Sequence, residues 1–83
     1  MESVLGEKIR DILGNHAKLA VGISELNDDS DLYAAGMTSH ASVNVMLALE
    51  DSFDIEFPEK MLTKNTFSSV QSISAALTEI GLD

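Results

Sequence analysis

The chain has 83 residues, 14 Asp and Glu against five Lys and Arg, a formal net charge of −9 and no Cys. That length suits one small domain, because a chain of this size buries only about 60 to 65% of its extended surface and leaves little room for a deep pocket. The charge is opposite to the basic footprint that nucleic acid or an anionic membrane requires, and a chain without Cys has neither a disulfide nor a thiolate metal site.

At 45% hydrophobic and 23% charged, with a single Pro, the composition is that of a folded globule and not of a disordered acidic tail. No apolar run approaches a membrane span of roughly 20 residues, and Met1-Glu2-Ser3 does not begin an export signal. The expected compartment is the cytoplasm, and the expected partners are proteins with basic patches, with no nucleic acid and no membrane.

Across residues 2–20 the large apolar residues Val4, Leu5, Ile9, Ile12, Leu13 and Leu19, with Ala17 and Ala20, recur at spacings of three and four. That spacing predicts one stripe on a first helix, with Lys8, Arg10, Asp11 and Lys18 off it. Residues 21–38 lose the period and gain Gly22, Asn27, Asp28, Asp29, Ser30, Asp31 and Gly36, which predicts a long loop. Ile23, Leu26, Leu32 and Tyr33 are its apolar anchors, with a turn of helix expected at residues 32–35.

A second helix is predicted over residues 39–52, with Val43, Met46, Leu47 and Phe53 facing inward and Val45 and Leu49 flanking them. Thr38 or Ser39 supplies the hydroxyl expected at its start, and Gly36 allows a sharp turn just before it. Residues 54–57 alternate polar and apolar. Pro58 then reads as the first position of a short helix over residues 59–62. Ser68 followed by Gln71 reads as a capping box, and Val70, Ile73, Leu77 and Ile80 form a last stripe that Gly81 stops. The expectation is an all-α fold, a small four-helix bundle of three main helices plus a short third one, with a long loop between the first two. Residues 1–83 make a single domain, with no internal repeat.

Ser39 is the residue of chemical interest, since it sits where a turn ends and a helix begins, and its hydroxyl should be exposed. On residue type alone a Ser at a helix start is ordinarily a cap. Adjacent His40 invites a nucleophile-and-base reading, but neighbouring helix residues point about 100° apart and no third group orients the His, so an enzyme is not expected. The Asn27 to Asp31 run lacks the Gly and Glu of an EF-hand loop and does not read as a calcium site.

The string Asp31-Leu32-Tyr33-Ala34-Ala35-Gly36-Met37-Thr38-Ser39, followed by Val43, Met46, Leu47, Leu49 and Glu50 and then by Phe53-Asp54-Ile55-Glu56-Phe57-Pro58, resembles the acyl carrier protein and peptidyl carrier protein family. The likeness spans most of the chain. It implies that Ser39 is the attachment point of 4′-phosphopantetheine, taken from coenzyme A by a phosphopantetheinyl transferase, and that the chain holds an acyl group as a thioester. A phosphodiester there would lie at a helix N-terminus, where orphan amides favour negative charge.

Two departures bear on partners. The family commonly reads Asp-Ser-Leu where this chain reads Thr38-Ser39-His40, and no acidic residue lies between His40 and Leu49, so docking is expected to be less electrostatic. The segment from Gly36 to Val43, with Met46-Leu47-Ala48-Leu49-Glu50, is similar to small free-standing carriers served by amino acid ligases related to class II aminoacyl-tRNA synthetases. That likeness implies an aminoacyl cargo. The implied partners are an acyl- or amino acid:carrier protein ligase and a downstream acyltransferase or synthase, with the chain itself a monomer.

Met37, Thr38, His40 and Val43 are the partner-contact candidates, Met37 being expected exposed beside Ser39 and part of an adaptable surface with Met46 and Met61. His40 reads either as a cation or contact near the phosphodiester or as a plain exposed helix residue. His16 reads as a packed, hydrogen-bonded residue. The rival to a carrier is an acidic protein-interaction module with no prosthetic group.

Overall fold

Ile9, Ile12 and Leu13 form the buried stripe of α1 (Val4–His16) in the computed structural model, which describes residues 4–81. The predicted start at Glu2 lies outside the described residues. The helix stops short of Ala20, because Lys18 takes φ 55° and the Ala20 amide donates across to Ala35 O at 2.8 Å instead of continuing the helical ladder. Val4 is 70% exposed, and Ala20 and His16 are exposed as well, so neither end of the predicted stripe reaches the core and His16 is not a packed residue.

The long connection that follows holds an unforeseen 3₁₀ turn, Ile23–Glu25. It is pinned from below by Arg10, whose guanidinium donates to Ile23 O at 3.1 Å, to Leu26 O at 3.0 Å and to Asp28 Oδ1 at 2.6 Å. Arg10 lies off the apolar stripe, yet only 20% of its side chain is exposed. From above, the Leu32 amide donates to Ser68 O at 2.7 Å and the Gln71 amide to Asp28 O at 2.8 Å. Leu32 is fully buried, as its role as an anchor requires, and Ile23, Leu26 and Tyr33 pack at the core's edge.

Arg10→Ala should therefore cost about 2 kcal/mol, through lost charge-assisted bonds to two carbonyls and lost packing of the stem. Asp28 is mostly exposed, so Asp28→Asn should cost under about 1 kcal/mol. Denaturant titration of the two variants checks the contrast.

α2 (Ser39–Phe53) buries Ala41, Val45 and Leu49, one residue per turn. This reverses the predicted face: Val43 is 49% and Leu47 52% exposed, while Met46 and Phe53 are half-buried. Apolar residues cover most of the circumference of the helix, with only a narrow polar side made by His40, Asn44 and Asp51, so periodicity alone does not select which part of that broad apolar arc meets the core. Two residues along a helix rotate the side chain by about 200°, which puts Val43 and Leu47 opposite Val45 and Leu49.

Asp54 ends α2 in the left-handed region at φ 54°, and its amide donates to Glu50 O. Glu50 Oε2 then accepts from the Phe57 amide at 2.9 Å, drawing the chain back to the core. There Phe57 meets Phe67 edge to face with ring centroids 5.3 Å apart. The predicted short third helix is a single 3₁₀ turn, Glu59–Met61, and Pro58 precedes it in an extended conformation (ψ 152°) instead of occupying its first position.

The last helix, α3 (Val70–Ile80), buries Val70, Ile73 and Leu77 and ends at Gly81 with φ 116°. Its capping box is Ser69 with Ser72, one residue later than the predicted Ser68 and Gln71. The Ser68 carbonyl and the Gln71 amide are both committed to holding the long loop. α1 packs against both α2 and α3. Among the described residues there are three α-helices, two 3₁₀ turns and no strand, and no helix is long and apolar enough to cross a membrane.

Candidate functional site

The site begins in the turn that follows Asp31. Asp31 Oδ1 accepts from the amides of Tyr33 at 3.0 Å and Ala34 at 3.4 Å, and the Ala35 amide donates back to Asp31 O and Leu32 O, both at 3.1 Å. This is the turn predicted at residues 32–35. Gly36 leaves it at φ 117°, a conformation that side chains resist. Met37 then drops into the core at 2% exposure, with its amide on Leu32 O at 3.0 Å.

Met37 thus lies under the site and not at its surface, which corrects its reading as a partner contact. Met61 is buried too, and only Met46 of the three methionines is partly accessible. With Met37 and Ala41 both buried, the three residues between them, Thr38, Ser39 and His40, are held outward and are all exposed.

Thr38 caps α2: it stands outside the helix at φ −85°, ψ 167°, and its Oγ1 accepts from the Ala41 amide at 3.0 Å. Ser39 is therefore the first helical residue and is released from the capping role that its residue type suggested. Its carbonyl accepts from Ser42 Oγ at 2.7 Å, whereas its own hydroxyl makes no hydrogen bond among the described residues. His40 is exposed next to it. Val43, one turn on, is half-exposed, and Leu47 continues that outer face, although the spacing places both inward. The signal that could have found Leu47 is the run Val45-Met46-Leu47-Ala48-Leu49, which holds more apolar residues than one core-facing stripe can bury.

Beside Ser39 lies an open groove of about 330 Å³. One wall is Ser39, Ser42, Val43 and Met46 of α2; the other is Tyr33 with Leu62, Lys64 and Phe67. The Lys64 ammonium sits 5.0 Å from the Tyr33 ring centroid.

The arrangement offers an accessible, unengaged hydroxyl at a helix N-terminus whose first turn contains no carboxylate. That combination fits a phosphodiester, since the free amides of the first turn favour an anion and nothing on that turn repels it. Among the described residues no cluster of His, Asp or Glu is arranged for a metal.

These features are those of a carrier, a protein that displays one hydroxyl for another enzyme to modify. Residues 4–77 match the phosphopantetheine attachment site family, and the chain belongs to it. Its cofactor class is accordingly phosphopantetheine, and members of this family are carriers and not enzymes. An aminoacyl carrier protein from Agrobacterium fabrum is 45% identical over 65 residues, with 78% of each chain covered.

Among solved structures, a chain in the complex of an engineered Bradyrhizobium japonicum glycine:[carrier protein] ligase with carrier protein from Agrobacterium tumefaciens and ATP superposes with a TM-score of 0.89 at 39% identity, covering 92% of this chain and 99% of that one. A chain in the complex of the Bradyrhizobium japonicum ligase with glycylated carrier protein superposes with a TM-score of 0.77 at 27% identity, covering 89% and 99%.

Proposed function

We propose that Ser39 is the attachment residue and that the chain, a single carrier domain over residues 1–83, holds an aminoacyl group for partner enzymes. The observation that carries the reading is the division of labour at the start of α2: Thr38 satisfies the helix amide, so the Ser39 hydroxyl is exposed and unengaged. In the transferase, Ser39 Oγ would attack the β-phosphorus of coenzyme A. The hydroxyl proton passes to the transferase's base, the pyrophosphate P–O bond breaks and adenosine 3′,5′-bisphosphate leaves. When bound, the group supplies the thiol that a chain with no Cys lacks and on which the cargo rides as a thioester.

The chain's own contribution is presentation. Met37 and Ala41 clamp the first turn of α2 to the core, so Ser39 is offered in one orientation, and tethering keeps a cargo near a docked enzyme at high effective concentration.

The loading partner is an amino acid:carrier protein ligase, by analogy with the glycine ligase complexes. It would dock on the outer face of α2 through Thr38, His40, Val43 and Leu47. That face has no carboxylate between His40 and Leu49, which suits an apolar contact. A downstream acyltransferase or synthase would take the cargo from a monomeric carrier, in the cytoplasm where coenzyme A and ATP are supplied.

Intact mass after incubation with coenzyme A, Mg²⁺ and a broad-specificity phosphopantetheinyl transferase tests the attachment. One phosphopantetheine should be gained by the unmutated chain and by Ser42→Ala, and none by Ser39→Ala. A chain that stays unmodified would favour the interaction-module reading. Supplying the modified protein with a ligase, ATP and single amino acids then tests the cargo, and formation of fatty acyl thioesters alone would overturn the aminoacyl reading but not the carrier one.

A further inference from the structure

We infer that Lys64 is the counter-ion of the phosphodiester and holds the near end of the prosthetic arm in the groove beside α2, an inference that rests on the reading of Ser39 as the attachment residue. Arg10 is engaged with Asp28 and Lys60 with Glu79. The other three of the five basic residues, Lys8, Lys18 and Lys64, make no ion pair among the described residues. Lys64 rests over the face of Tyr33, 5.0 Å from its centroid, and Lys8 too rests near a ring, 5.8 Å from the Phe53 centroid; of the three, only Lys64 lines the groove that holds Ser39.

Lys64 and Ser39 line the same groove of about 330 Å³. Its walls match an arm attached at Ser39 in order of chemistry. The anionic end would lie between the free amides of the first turn of α2 and the Lys64 ammonium. The two methyl groups of the pantoyl unit would then meet Val43, Met46 and Leu62, which are apolar, and the amides beyond would face solvent at the open end. Lys64 is exposed and its ammonium is held, among the described residues, only by the cation–π contact, which it can exchange for an ion pair with a phosphodiester in the same groove. Lys64 is a positioning residue in this account: it acts on where the arm lies and not on the chemistry at its thiol.

The consequence is a carrier whose arm has a resting place of its own and leaves it when a partner competes for the outer face of α2, since Val43 belongs both to that face and to the groove.

The test compares amide and Tyr ring resonances before and after modification, within each of unmutated protein, Lys64→Gln, Lys64→Arg and Lys60→Gln, together with the phosphorus resonance of the modified forms. The inference requires modification to shift Tyr33, Leu62 and Phe67 in unmutated protein and in Lys60→Gln. Those shifts should be lost in Lys64→Gln and restored in Lys64→Arg. They should also shrink as salt is raised, because an exposed ion pair is screened. Shifts confined to the first turn of α2, or unchanged in Lys64→Gln, would overturn it. Intact mass on the same samples separates the two readings: no gain at Ser39 overturns the attachment and this inference together, whereas a gain with shifts confined to α2 overturns this inference alone.

Discussion

Leu49→Ala should lower the stability of the protein by about 2 to 5 kcal/mol, while Leu47→Ala, two residues away on the same helix, should change it by under about 1 kcal/mol. Leu49 is fully buried and Leu47 is 52% exposed. Removing the Leu49 side chain leaves a cavity between α2 and the rest of the core that close packing does not let collapse fully. Leu47 already has half of its surface in solvent, so its truncation loses little packing and opens no enclosed cavity. A domain of this size is stable by about 4 to 12 kcal/mol on per-residue averages. The first substitution therefore removes a large share of the total, and the second leaves the fold intact for binding studies.

Denaturant titration of the pair reads the difference directly. Equal losses would mean that α2 is rotated relative to the arrangement described above, and the outer face assigned to partners would be wrong with it. Leu47→Ala then becomes the informative variant for docking, with weaker ligase binding expected at unchanged stability.

Gly36→Ala should be nearly as damaging, at roughly 2 to 5 kcal/mol, for two separate reasons. The residue holds φ 117°, and a Cβ built there would lie 2.9 Å from the Ala20 amide nitrogen and 3.3 Å from the Ala20 Cβ. The nitrogen is backbone and is already committed, donating to Ala35 O at 2.8 Å, so it has no easy direction in which to yield. The contact joins the end of the α1 segment to the turn that presents Ser39, and breaking it loosens the site as well as the fold.

Gly81→Ala separates the two causes. Gly81 has nearly the same φ, 116°, with nothing among the described residues within 4 Å of the added atom, so it should show the backbone penalty alone, about 1 kcal/mol. Thermal or denaturant unfolding of both variants, and the rate of transferase modification of Gly36→Ala at a temperature where it is folded, check the argument. Similar losses for the two would remove the steric contact from the account.

α3 was the most legible helix because three separate signals converge on it, apolar spacing, a hydroxyl residue at the start and a glycine at the end, whereas α1 offered apolar spacing alone and its predicted end overran the observed His16. For α3 the apolar stripe and the Gly81 stop coincide with the observed helix, and the capping box was displaced by one residue only because two adjacent hydroxyls compete for the role. Tertiary bonds decided it, since Ser68 O is bound to the Leu32 amide and the Gln71 amide to Asp28 O. Arg10, which the spacing places off the apolar stripe, owes its role to tertiary contacts in the same way. Nothing local to α1 announces that a loop 13 to 18 residues downstream will bring two carbonyls and a carboxylate to its guanidinium.

At the site, the sequence by itself determined the kind of protein this is: an acidic, Cys-free helical chain with Ser39 at the head of its second helix, in a pattern shared with carriers. Those are properties of residue type and spacing, which survive without knowledge of what packs against what. Only the tertiary structure decided which hydroxyl caps the helix, that Met37 goes inward, and that Val43 and Leu47 go outward. A helix that is apolar over most of its circumference has no preferred face until its neighbours bury one, and here packing against the rest of the fold, α1 included, buries Ala41, Val45 and Leu49 and leaves Val43 and Leu47 half in solvent.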